Sequence, residues 1–255
     1  MLASNEILMT WEKFCDFPME TLTKAWFYPK SSKKKQRSVS LMKEHREQYG
    51  ISGNCFDLAI WLLDEFKNDG IEAYPIGSQL NTEKAHTAVV ALDERGRRYL
   101  CDLGDQWLQP ILIDSAQQDY SSERLSGFFP AAQVQIKPVS SSVEVIYHRP
   151  TGKLSRQVYQ TEPIDVKLFM EAAECSQNQI RPRPLLEVRT PYKSETAHWE
   201  FYNWESMLST SEGLFKEDQL LTIDGWVERI HLKTGYDRKF LFEALEYYRM
   251  LDRRG

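Results

Sequence analysis

A cysteine, a histidine and an aspartate are spaced along the chain so that folding would bring their side chains together: Cys55, His86 and Asp102. A thiolate is a strong nucleophile, an imidazole moves protons near neutral pH, and a carboxylate can hold the imidazole in a fixed orientation. Such a set can attack a carbonyl carbon and carry an acyl group as a thioester. We therefore take these three residues as the candidate catalytic residues.

The sequence places Cys55 in the first turn of a helix. Apolar residues recur at helical spacing through residues 55–68, and Gly70 follows where a helix would end. Asn54 is a favoured N-cap residue, and Asp57 puts an acid into the first turn. Because the free N–H groups of a helix start stabilise anions, they favour a thiolate there and can also bind the oxyanion formed at an attacked carbonyl.

His86 and Asp102 fall on two short apolar runs that are typical of strands, residues 86–92 and 97–103, joined by a short loop that contains a glycine. With a three-residue loop, the pairing puts His86 directly across from Asp102, with Cβ atoms roughly 5 Å apart. A four-residue loop would instead pair His86 with Leu103. We favour the first register because it aligns two polar residues within apolar strands.

Each of these residues taken singly has a commoner structural role. A lone cysteine on an apolar helix face is often a small core residue, and a histidine at a strand start is often a hydrogen-bonded structural group. The combination of the helix start with the hairpin favours catalysis. The other cysteines lack a helix start and a matching histidine, and we expect them to be packing residues: Cys15, Cys101 and Cys175.

The bulk composition excludes several other classes of function. The net charge of −5 argues against broad electrostatic binding of nucleic acid. No stretch approaches the roughly 18 apolar residues of a membrane span, and the N-terminus lacks the pattern of a secretion signal. We therefore expect a soluble, cytoplasmic protein with no nucleic-acid or membrane partner.

Metal and phosphate sites have no signature along the sequence. The cysteines show no C-x-x-C pairing and the five histidines no ligand spacing, so we expect no metal, and no glycine-rich phosphate loop is present. One basic run could meet a phosphate or an anionic surface, but such runs are more often solvated loops, and we favour the loop. The run comprises Lys30, Lys33, Lys34, Lys35 and Arg37.

The remaining segments predict helices first, then strands, then a mixture. Residues 1–70 read as mainly helical and a β region begins at Ile71. Further strands are expected at 133–139, 143–148 and 154–159, a helix at 164–175, strands around 185–189, 199–202, 219–223 and 226–232, and a last helix at 237–251, with loops at 138–142 and 190–196.

Residues 51–105 carry a series of motifs: GNCFDLAIWLLDEF, a glycine, AHTAVVAL and RRYLCDLG. This series resembles the arylamine N-acetyltransferase family and, more distantly, the transglutaminase-like cysteine superfamily. Cys55-Phe56-Asp57 resembles that family's Cys-Phe-Glu, and Asp102-Leu103-Gly104 resembles the start of its D-V-G-F-G motif. Two segments depart from the family pattern. Ser52-Gly53-Asn54 replaces Arg-Gly-Gly, and Asp105-Gln106 replaces Phe-Gly.

The resemblance implies an α+β fold in three parts. These are a helical domain at residues 1–70 carrying the nucleophile, an antiparallel β-barrel-like domain at 71–163 carrying His86 and Asp102, and a connector helix with an α/β lid at 164–255. It also implies transfer of an acetyl or other acyl group from acetyl-CoA or another acyl-CoA to a small-molecule amine. In this ping-pong reaction Cys55 is acylated, His86 shuttles protons and Asp102 orients His86.

Two other functions remain open. A transglutaminase-like amidase or peptidase would use the same three residues on a carboxamide. A non-catalytic relative would bind a ligand, with Cys55 merely structural. Tryptophans would suit its pocket, although they are also good core fillers: Trp107, Trp199, Trp204 and Trp226. The acyl donor, the acceptor, the CoA-binding residues and the oligomeric state are not determined by the sequence.

Overall fold

The computed structural model describes residues 2–31 and 33–252 of the chain. The helices are α1 (Asn5–Glu12), α2 (Leu22–Phe27), α3 (Val39–Tyr49), α4 (Cys55–Asn68), α5 (Val166–Asn178), α6 (Ile223–Thr234) and α7 (Arg238–Asp252). The strands are β1 (Met19–Glu20), β2 (Ala73–Ser78), β3 (His86–Leu92), β4 (Arg98–Cys101), β5 (Ile111–Leu112), β6 (Leu125–Phe129), β7 (Ala132–Val139), β8 (Ser142–His148), β9 (Leu154–Gln160), β10 (Leu185–Tyr192), β11 (Glu195–Tyr202), β12 (Glu205–Thr210) and β13 (Gly213–Lys216).

The strands form three antiparallel sheets. Their strand orders are β1-β10-β11-β12-β13, β2-β3-β4-β5 and β6-β7-β8-β9. The predicted mixture of helices and strands is therefore confirmed. No closed barrel is found among the described residues, so the barrel-like detail expected for the middle of the chain is not confirmed.

Helix α4 lies at the centre of the larger hydrophobic core. Its apolar face follows the predicted spacing, and Phe56, Leu58, Leu62 and Phe66 are fully buried. This face packs against β3 and β2, whose Val89 and other residues are equally buried. The helix begins and ends at the residues expected from the sequence. Burial of these side chains therefore fixes the position of Cys55 at the helix start.

The N-terminal segment takes part in the C-terminal sheet. Strand β1 pairs with β10, with Met19 opposite Glu187 and Glu20 opposite Leu186. A second core lies between this sheet and α2, α6 and α7, and contains Trp199 and Trp226. The chain's first helices and its last sheet are thus joined in one packed unit, while the division at residues 70 and 163 stays a prediction.

Two strand predictions near the C-terminus are wrong. Residues 219–223 and 226–232 were expected to be strands, but α6 occupies residues 223–234 and the chain before it is irregular. The buried residues of α6 follow a helical spacing, and Thr222 caps the helix by accepting a hydrogen bond from Gly225 N. They are Ile223, Trp226, Val227 and Ile230. Apolar residues therefore recur at helical spacing in a segment that was predicted to form short strands.

The loop expected at residues 190–196 is also wrong. Strand β10 continues to Tyr192 and β11 begins at Glu195, which leaves a tight turn between them. Lys193 in this turn has a φ of +50°. A left-handed residue of this kind is typical of two-residue hairpin turns, and the sequence offered no glycine to mark it.

The basic run is solvated only at its start. Lys33 and Lys34 are exposed, as expected for a loop. Arg37 is 2% exposed and forms an ion pair with Asp57, at 3.2 Å between Nη2 and Oδ2. The solvated-loop interpretation is therefore wrong for Arg37, because a buried carboxylate takes up its charge. None of the helices in the described residues is long and apolar enough to cross a bilayer.

Glu20 in β1 is fully buried, and this gives a prediction about pH. Burial raises the pKa of Glu20 from its ordinary value of 4.5 to about 7, although hydrogen bonds from Thr23 oppose the shift. The contribution of Glu20 to stability is then fully present below pH 4.5 and is lost as the pH rises through about 7. The unfolding free energy of the parent should therefore fall as the pH rises, and Glu20→Gln should make this fall smaller by about 3 kcal/mol.

Chemical denaturation of the Glu20→Gln variant and the parent protein between pH 4 and pH 8 measures this effect. Glu94→Gln, at an exposed loop position, is the matched control and should leave the pH dependence unchanged. Equal slopes of unfolding free energy against pH in parent and Glu20→Gln would contradict the prediction.

Candidate active site

Cys55 is the first residue of α4, and its position is fixed by a capping box. The Asn54 side-chain oxygen accepts hydrogen bonds from the backbone N–H groups of Phe56 (3.0 Å) and Asp57 (3.1 Å). The Asp57 carboxylate in turn accepts from Asn54 N at 3.2 Å. The predicted cap is confirmed, and it occupies donors that were expected to bind an oxyanion. In the described part of the chain, the N–H of Cys55 itself is the first-turn donor left without a partner.

Asp57 is also the centre of a buried polar cluster below the helix start. Besides Arg37, its carboxylate accepts hydrogen bonds from Gln36 Nε2 (2.8 Å) and Gln177 Nε2 (3.1 Å). Arg37 Nη2 donates to the Ser52 carbonyl at 2.5 Å. Ser52-Gly53-Asn54, which replaces Arg-Gly-Gly, therefore lies beside the guanidinium of Arg37.

Gly53 within this tripeptide allows the close approach. Its φ is +139°, and a Cβ added there would lie 2.6 Å from Arg37 Nη2 and would also overlap the Asp57 carboxylate. A residue with a side chain would displace the ion pair that supports the helix start. This explains in physical terms why the glycine is kept while both of its neighbours differ from the family pattern.

His86 and Asp102 are in direct contact. His86 Nε2 lies 2.6 Å from Asp102 Oδ2, and the Asp102 side chain is fully buried while that of His86 is 20% exposed. Asp102 is held from two further directions, because Tyr159 donates to Oδ2 at 2.6 Å and the Asp105 backbone N–H donates to Oδ1 at 2.9 Å. The carboxylate is thus fixed in orientation, and it fixes the imidazole in turn.

The strand register that predicted this contact is wrong. Val89 pairs with Cys101, and Asp102 lies just beyond the end of β4. His86 is paired instead with Ser78 of β2, so neither the three-residue nor the four-residue loop is correct. Continued by one residue, the observed register sets Asp102 opposite Ala88. A shift of two residues keeps every side chain on the same face, and a diagonal neighbour roughly 7–8 Å away is within reach of an imidazole.

The electrostatics of His86 are dominated by this carboxylate. Burial by itself lowers the pKa of His86, but Asp102 and the Cys55 thiol outweigh it, and the pKa is raised well above its ordinary value of 6.5. The carboxylate therefore favours the protonated form of the ring. Because Nε2 is held by Asp102, Nδ1 is the nitrogen available to the thiol.

Cys55 and His86 meet on either side of Gly104. Both residues line the same cavity, and the Cys55 thiol is one of the groups that raise the pKa of His86. A Cβ added at Gly104 would lie 2.5 Å from Cys55 Cβ and 3.2 Å from His86 Cε1. The structure thus brings together the three residues expected from the sequence, and a glycine next to them leaves the space for their contact.

Gly104→Ala is expected to separate the helix start from the imidazole. A methyl group at 2.5 Å from Cys55 Cβ forces a displacement of one element, at about 1–3 kcal/mol of stability. We expect the rate of Cys55 alkylation by iodoacetamide at pH 6 to fall by roughly tenfold or more. Gly96→Ala is the control for a general loss of stability, since its φ of +70° strains an alanine but a Cβ there would meet nothing within 4 Å. An unchanged alkylation rate in Gly104→Ala would show that the contact tolerates the methyl group.

The second departure from the family pattern, Asp105-Gln106, is built into the fold. Gln106 has a φ of +57°, in the left-handed region where glycine is favoured, and it stands where D-V-G-F-G ends in glycine. Its amide donates to the carbonyls of Leu103 (2.9 Å) and Phe17 (3.2 Å), which offsets the backbone strain. Asp105 accepts hydrogen bonds from Tyr147 and from Trp107 Nε1. Burial and the nearby Asp102 raise the pKa of Asp105 to about 6.

A cavity of about 250 Å³ opens at Cys55 and His86. Its cationic lining consists of Lys24, Arg181 and Arg183. Burial lowers the pKa of Lys24 to about 8, against the opposing influence of Cys55. Arg181 is paired with Glu83, which also lines the cavity. The wall is therefore rich in positive charge close to the thiol.

The tryptophans and the other cysteines lie away from this wall. Trp107, Trp199 and Trp226 are core residues at most 1% exposed, and Trp204 is partly buried. None of the four lines the cavity at Cys55, although Trp204 and Trp226 line a separate cavity of about 240 Å³. Cys101 is a packing residue, as expected, and burial raises its pKa. Cys175 is partly buried. Cys15 is exposed, so the prediction that it packs in the core is wrong.

Sequence reasoning missed several residues of the site. Tyr159 was visible at the end of a predicted strand, but the face of β9 that turns inward depends on the partner sheet. Lys24 and Arg37 reach the site from segments far along the chain, and no local motif marks them. The ion pair between Arg37 and Asp57 could have been found by asking which acid pairs with the basic run. Asp57 was already marked as the acid in the first turn of the helix.

Comparison with solved structures gives a consistent set of relatives. The arylamine N-acetyltransferase of Mycobacterium smegmatis matches with a TM-score of 0.71 at 12% identity, over 96% of this chain and 92% of that one. The enzyme of Salmonella typhimurium matches at a TM-score of 0.70 and 10% identity, over 93% of this chain and 89% of that one. That of Mycobacterium marinum, in complex with CoA, matches at the same TM-score and identity, over 92% and 89%. The chain has the fold of the arylamine N-acetyltransferases.

This fold extends the resemblance seen in residues 51–105 to almost the whole chain. No protein-family model matches the sequence, and no curated protein matches it. The sequence identities to these structures are only 10–14%. The arylamine N-acetyltransferase fold is therefore established by its backbone, while the chemistry rests on the residues at the cavity.

Proposed function

We propose that this protein is an acyltransferase that takes an acetyl or other acyl group from a CoA thioester and passes it to an amine through Cys55. The observation that carries the proposal is the connected arrangement of the Cys55 thiol, the His86 ring and the Asp102 carboxylate at the wall of a cavity. The fold supports the same conclusion, since one relative of that fold is described in complex with CoA. Acyl-CoA supply in the cytoplasm fits this reaction.

In the first half of the reaction, the Cys55 thiolate attacks the carbonyl carbon of the thioester. The carbon–sulfur bond to CoA breaks, and the departing CoA thiolate takes a proton from the His86 imidazolium. The free N–H of Cys55 is placed to donate to the oxyanion of the tetrahedral intermediate. The product of this step is an acyl-Cys55 thioester with a neutral imidazole beside it.

In the second half, the amine attacks the acyl carbon and His86 accepts its proton. The bond to Cys55 Sγ breaks, and the thiolate and imidazolium are restored together. Asp102 acts throughout by stabilising the protonated ring and holding Nε2, which keeps Nδ1 directed at the reacting atoms. No metal ion takes part in these steps.

Incubation with acetyl-CoA followed by intact-mass measurement tests the proposal. We expect one acetyl adduct, mapped to Cys55 by peptide analysis and removed by an added amine. Propionyl-CoA and longer acyl-CoAs serve as further donors. No adduct from any acyl-CoA would refute the acyltransferase. Release of ammonia from carboxamides without CoA would instead support the amidase.

The positive wall of the cavity suggests the charge of one substrate. The Lys24 ammonium makes no hydrogen bond to another described side chain, and it lines the same cavity as the Cys55 thiol. We propose that the amine or the acyl group carries an anionic group, such as a carboxylate, that pairs with Lys24.

Lys24→Met tests this pairing. Loss of a charge-assisted hydrogen bond should raise KM for a carboxylate-bearing substrate by roughly tenfold, while an uncharged analogue is little affected. Lys34→Met, in the exposed part of the basic run, is the matched control. Steady-state kinetics with acetyl-CoA and malonyl-CoA, and with aniline and aminobenzoate, separates an anionic donor from an anionic acceptor. Equal effects on all four would contradict the pairing.

A further inference from the structure

A second cluster of ionisable side chains lies on the face of β10 and β11 that turns toward the cavity. Leu185 and Tyr202 are paired across these strands and both line the cavity. The next pair on the same face is Glu187 with Glu200. His198 lies two positions before Glu200 and therefore shares that face. The cluster is thus one step along the sheet from the candidate active site.

The three side chains converge on one point. One ligand atom from each lies within 4.8 Å of the others. His198 Nε2 is 3.7 Å from Glu187 Oε1, which is too long for a hydrogen bond. Tetrahedral ligands about 2.1 Å from a metal ion lie about 3.4 Å apart. Small side-chain movements would therefore bring these atoms to coordinating distance.

His198 has a buried ring nitrogen that is available to bind a metal ion. It is 4% exposed, and its Nε2 makes no hydrogen bond in the described residues. Burial, together with Arg149 and Arg189, lowers the pKa of His198 to about 3, so the ring is neutral and has a free lone pair. Buried polar atoms are nearly always satisfied, and an exception calls for a water or an ion. The lone pair is directed into a space shared with two carboxylates.

The charges around the cluster leave room for a cation. Burial raises the pKa of Glu187 well above its ordinary value, and the charges of Asp105 and Glu200 add to the shift. Burial also raises the pKa of Glu200, against Arg149 and Lys153. Burial is the main cause of both shifts, and it outweighs the opposing charges of Arg149, Lys153 and His86. Arg189, the cross-strand partner of His198, adds a further positive charge on this face. A divalent ion would offset the cost of burying the two carboxylates.

We propose that Glu187, His198 and Glu200 form a binding site for a divalent transition-metal ion, with Zn²⁺ as the ion whose preferences fit best. One imidazole nitrogen and two carboxylate oxygens are common Zn²⁺ ligands, and a fourth position is left for water. The proposal goes beyond the proposed acyl transfer and does not depend on it, since no residue of the cluster takes part in that reaction.

Binding of Zn²⁺ to the full chain, freed of metal with a chelator, tests the site by isothermal titration calorimetry. All proteins carry Cys55→Ala, because the thiol and His86 would otherwise bind Zn²⁺ themselves. We expect one equivalent of Zn²⁺ to bind, and the midpoint of thermal unfolding to rise with it. Co²⁺ should bind in its place and give visible absorption bands of a site with nitrogen and oxygen ligands.

Variants of the cluster locate the ion. His198→Ala should weaken Zn²⁺ binding by roughly 100-fold or more. Glu187→Gln and Glu200→Gln keep the side-chain shape, and each should weaken binding as well, so the test stands even where His198→Ala fails to fold. His148→Ala, at a partly exposed histidine on β8 outside the cluster, is the control and should bind normally.

Two results would overturn the proposal. One is the absence of stoichiometric binding in the Cys55→Ala protein. The other is binding that persists unchanged in the folded Glu187→Gln and Glu200→Gln variants, which would show that the ion is adventitious and held elsewhere.

Discussion

Cys55→Ala is expected to lower the rate of acyl transfer by roughly 10⁴-fold or more, because the alanine cannot form the thioester on which both halves of the reaction depend. The same variant should show no acetyl adduct after incubation with acetyl-CoA. Its stability should change little, since Cys55 is only partly buried and the capping box is formed by Asn54 and Asp57.

Cys15→Ala is the matched control, because Cys15 is an exposed thiol on the same chain. It should react and transfer at the parent rate. Steady-state rates and intact mass of the two variants, measured side by side, check the prediction. If the Cys55→Ala protein still transfers acyl groups, another residue is the nucleophile and the assignment of Cys55 is wrong.

Asp102→Asn is expected to be the second most damaging change. The amide cannot stabilise the His86 imidazolium, and its NH₂ group would face the Asp105 N–H that now donates to Oδ1 at 2.9 Å. We expect acyl transfer to fall by roughly 10³-fold. Leaving buried donors without partners should also cost about 1–3 kcal/mol of stability.

The pH dependence separates a catalytic effect from simple loss of stability. Asp102 raises the pKa of His86, so Asp102→Asn should lower the pKa of that ring. Nuclear magnetic resonance titration of the histidine ring protons measures this in the folded variant. Asp119→Asn, at an exposed surface ion pair, is the control. An unchanged His86 titration would contradict the role of Asp102 as the orienting carboxylate.

The sequence predicted elements best where a single segment carries the whole signal. Helix α4 has its own cap, apolar face and stop, and both of its ends were predicted. The wrong predictions concern segments whose secondary structure depends on the element they pack against. Residues 226–232 are apolar at a spacing that suits a short strand as well as a helix, and only packing of Trp226 against Phe201 of the C-terminal sheet resolves the choice.

The site was predictable as a set of residues but not as a geometry. Cys55, His86 and Asp102 meet, yet the hairpin that joins the last two has a different register. An error of two residues leaves the side chains of His86 and Asp102 on the same face, whereas an error of one would have turned Asp102 away. Tyr159 and Lys24 come from other segments, and linear spacing contains no information about them.

The same limit applies to the proposed metal site. No ligand spacing is visible in the sequence, because Glu187 and Glu200 lie on different strands and become neighbours only across β10 and β11. A cluster formed by strand pairing is visible in three dimensions alone. The expectation that no metal binds was therefore drawn from a pattern that covers only ligands near one another in sequence.

The polar cluster under α4 has a consequence for the order in which the protein is made. Asp57 is held by Gln177, and β1 is held by β10, so the surroundings of the nucleophile are completed by residues that leave the ribosome late. During synthesis Asp57 can meet Arg37, Gln36 and Asn54 early, but it must wait for the Gln177 amide. A nascent chain arrested before residue 177 should therefore hold the start of α4 less firmly than the finished protein, in which the last sheet has joined the first strand.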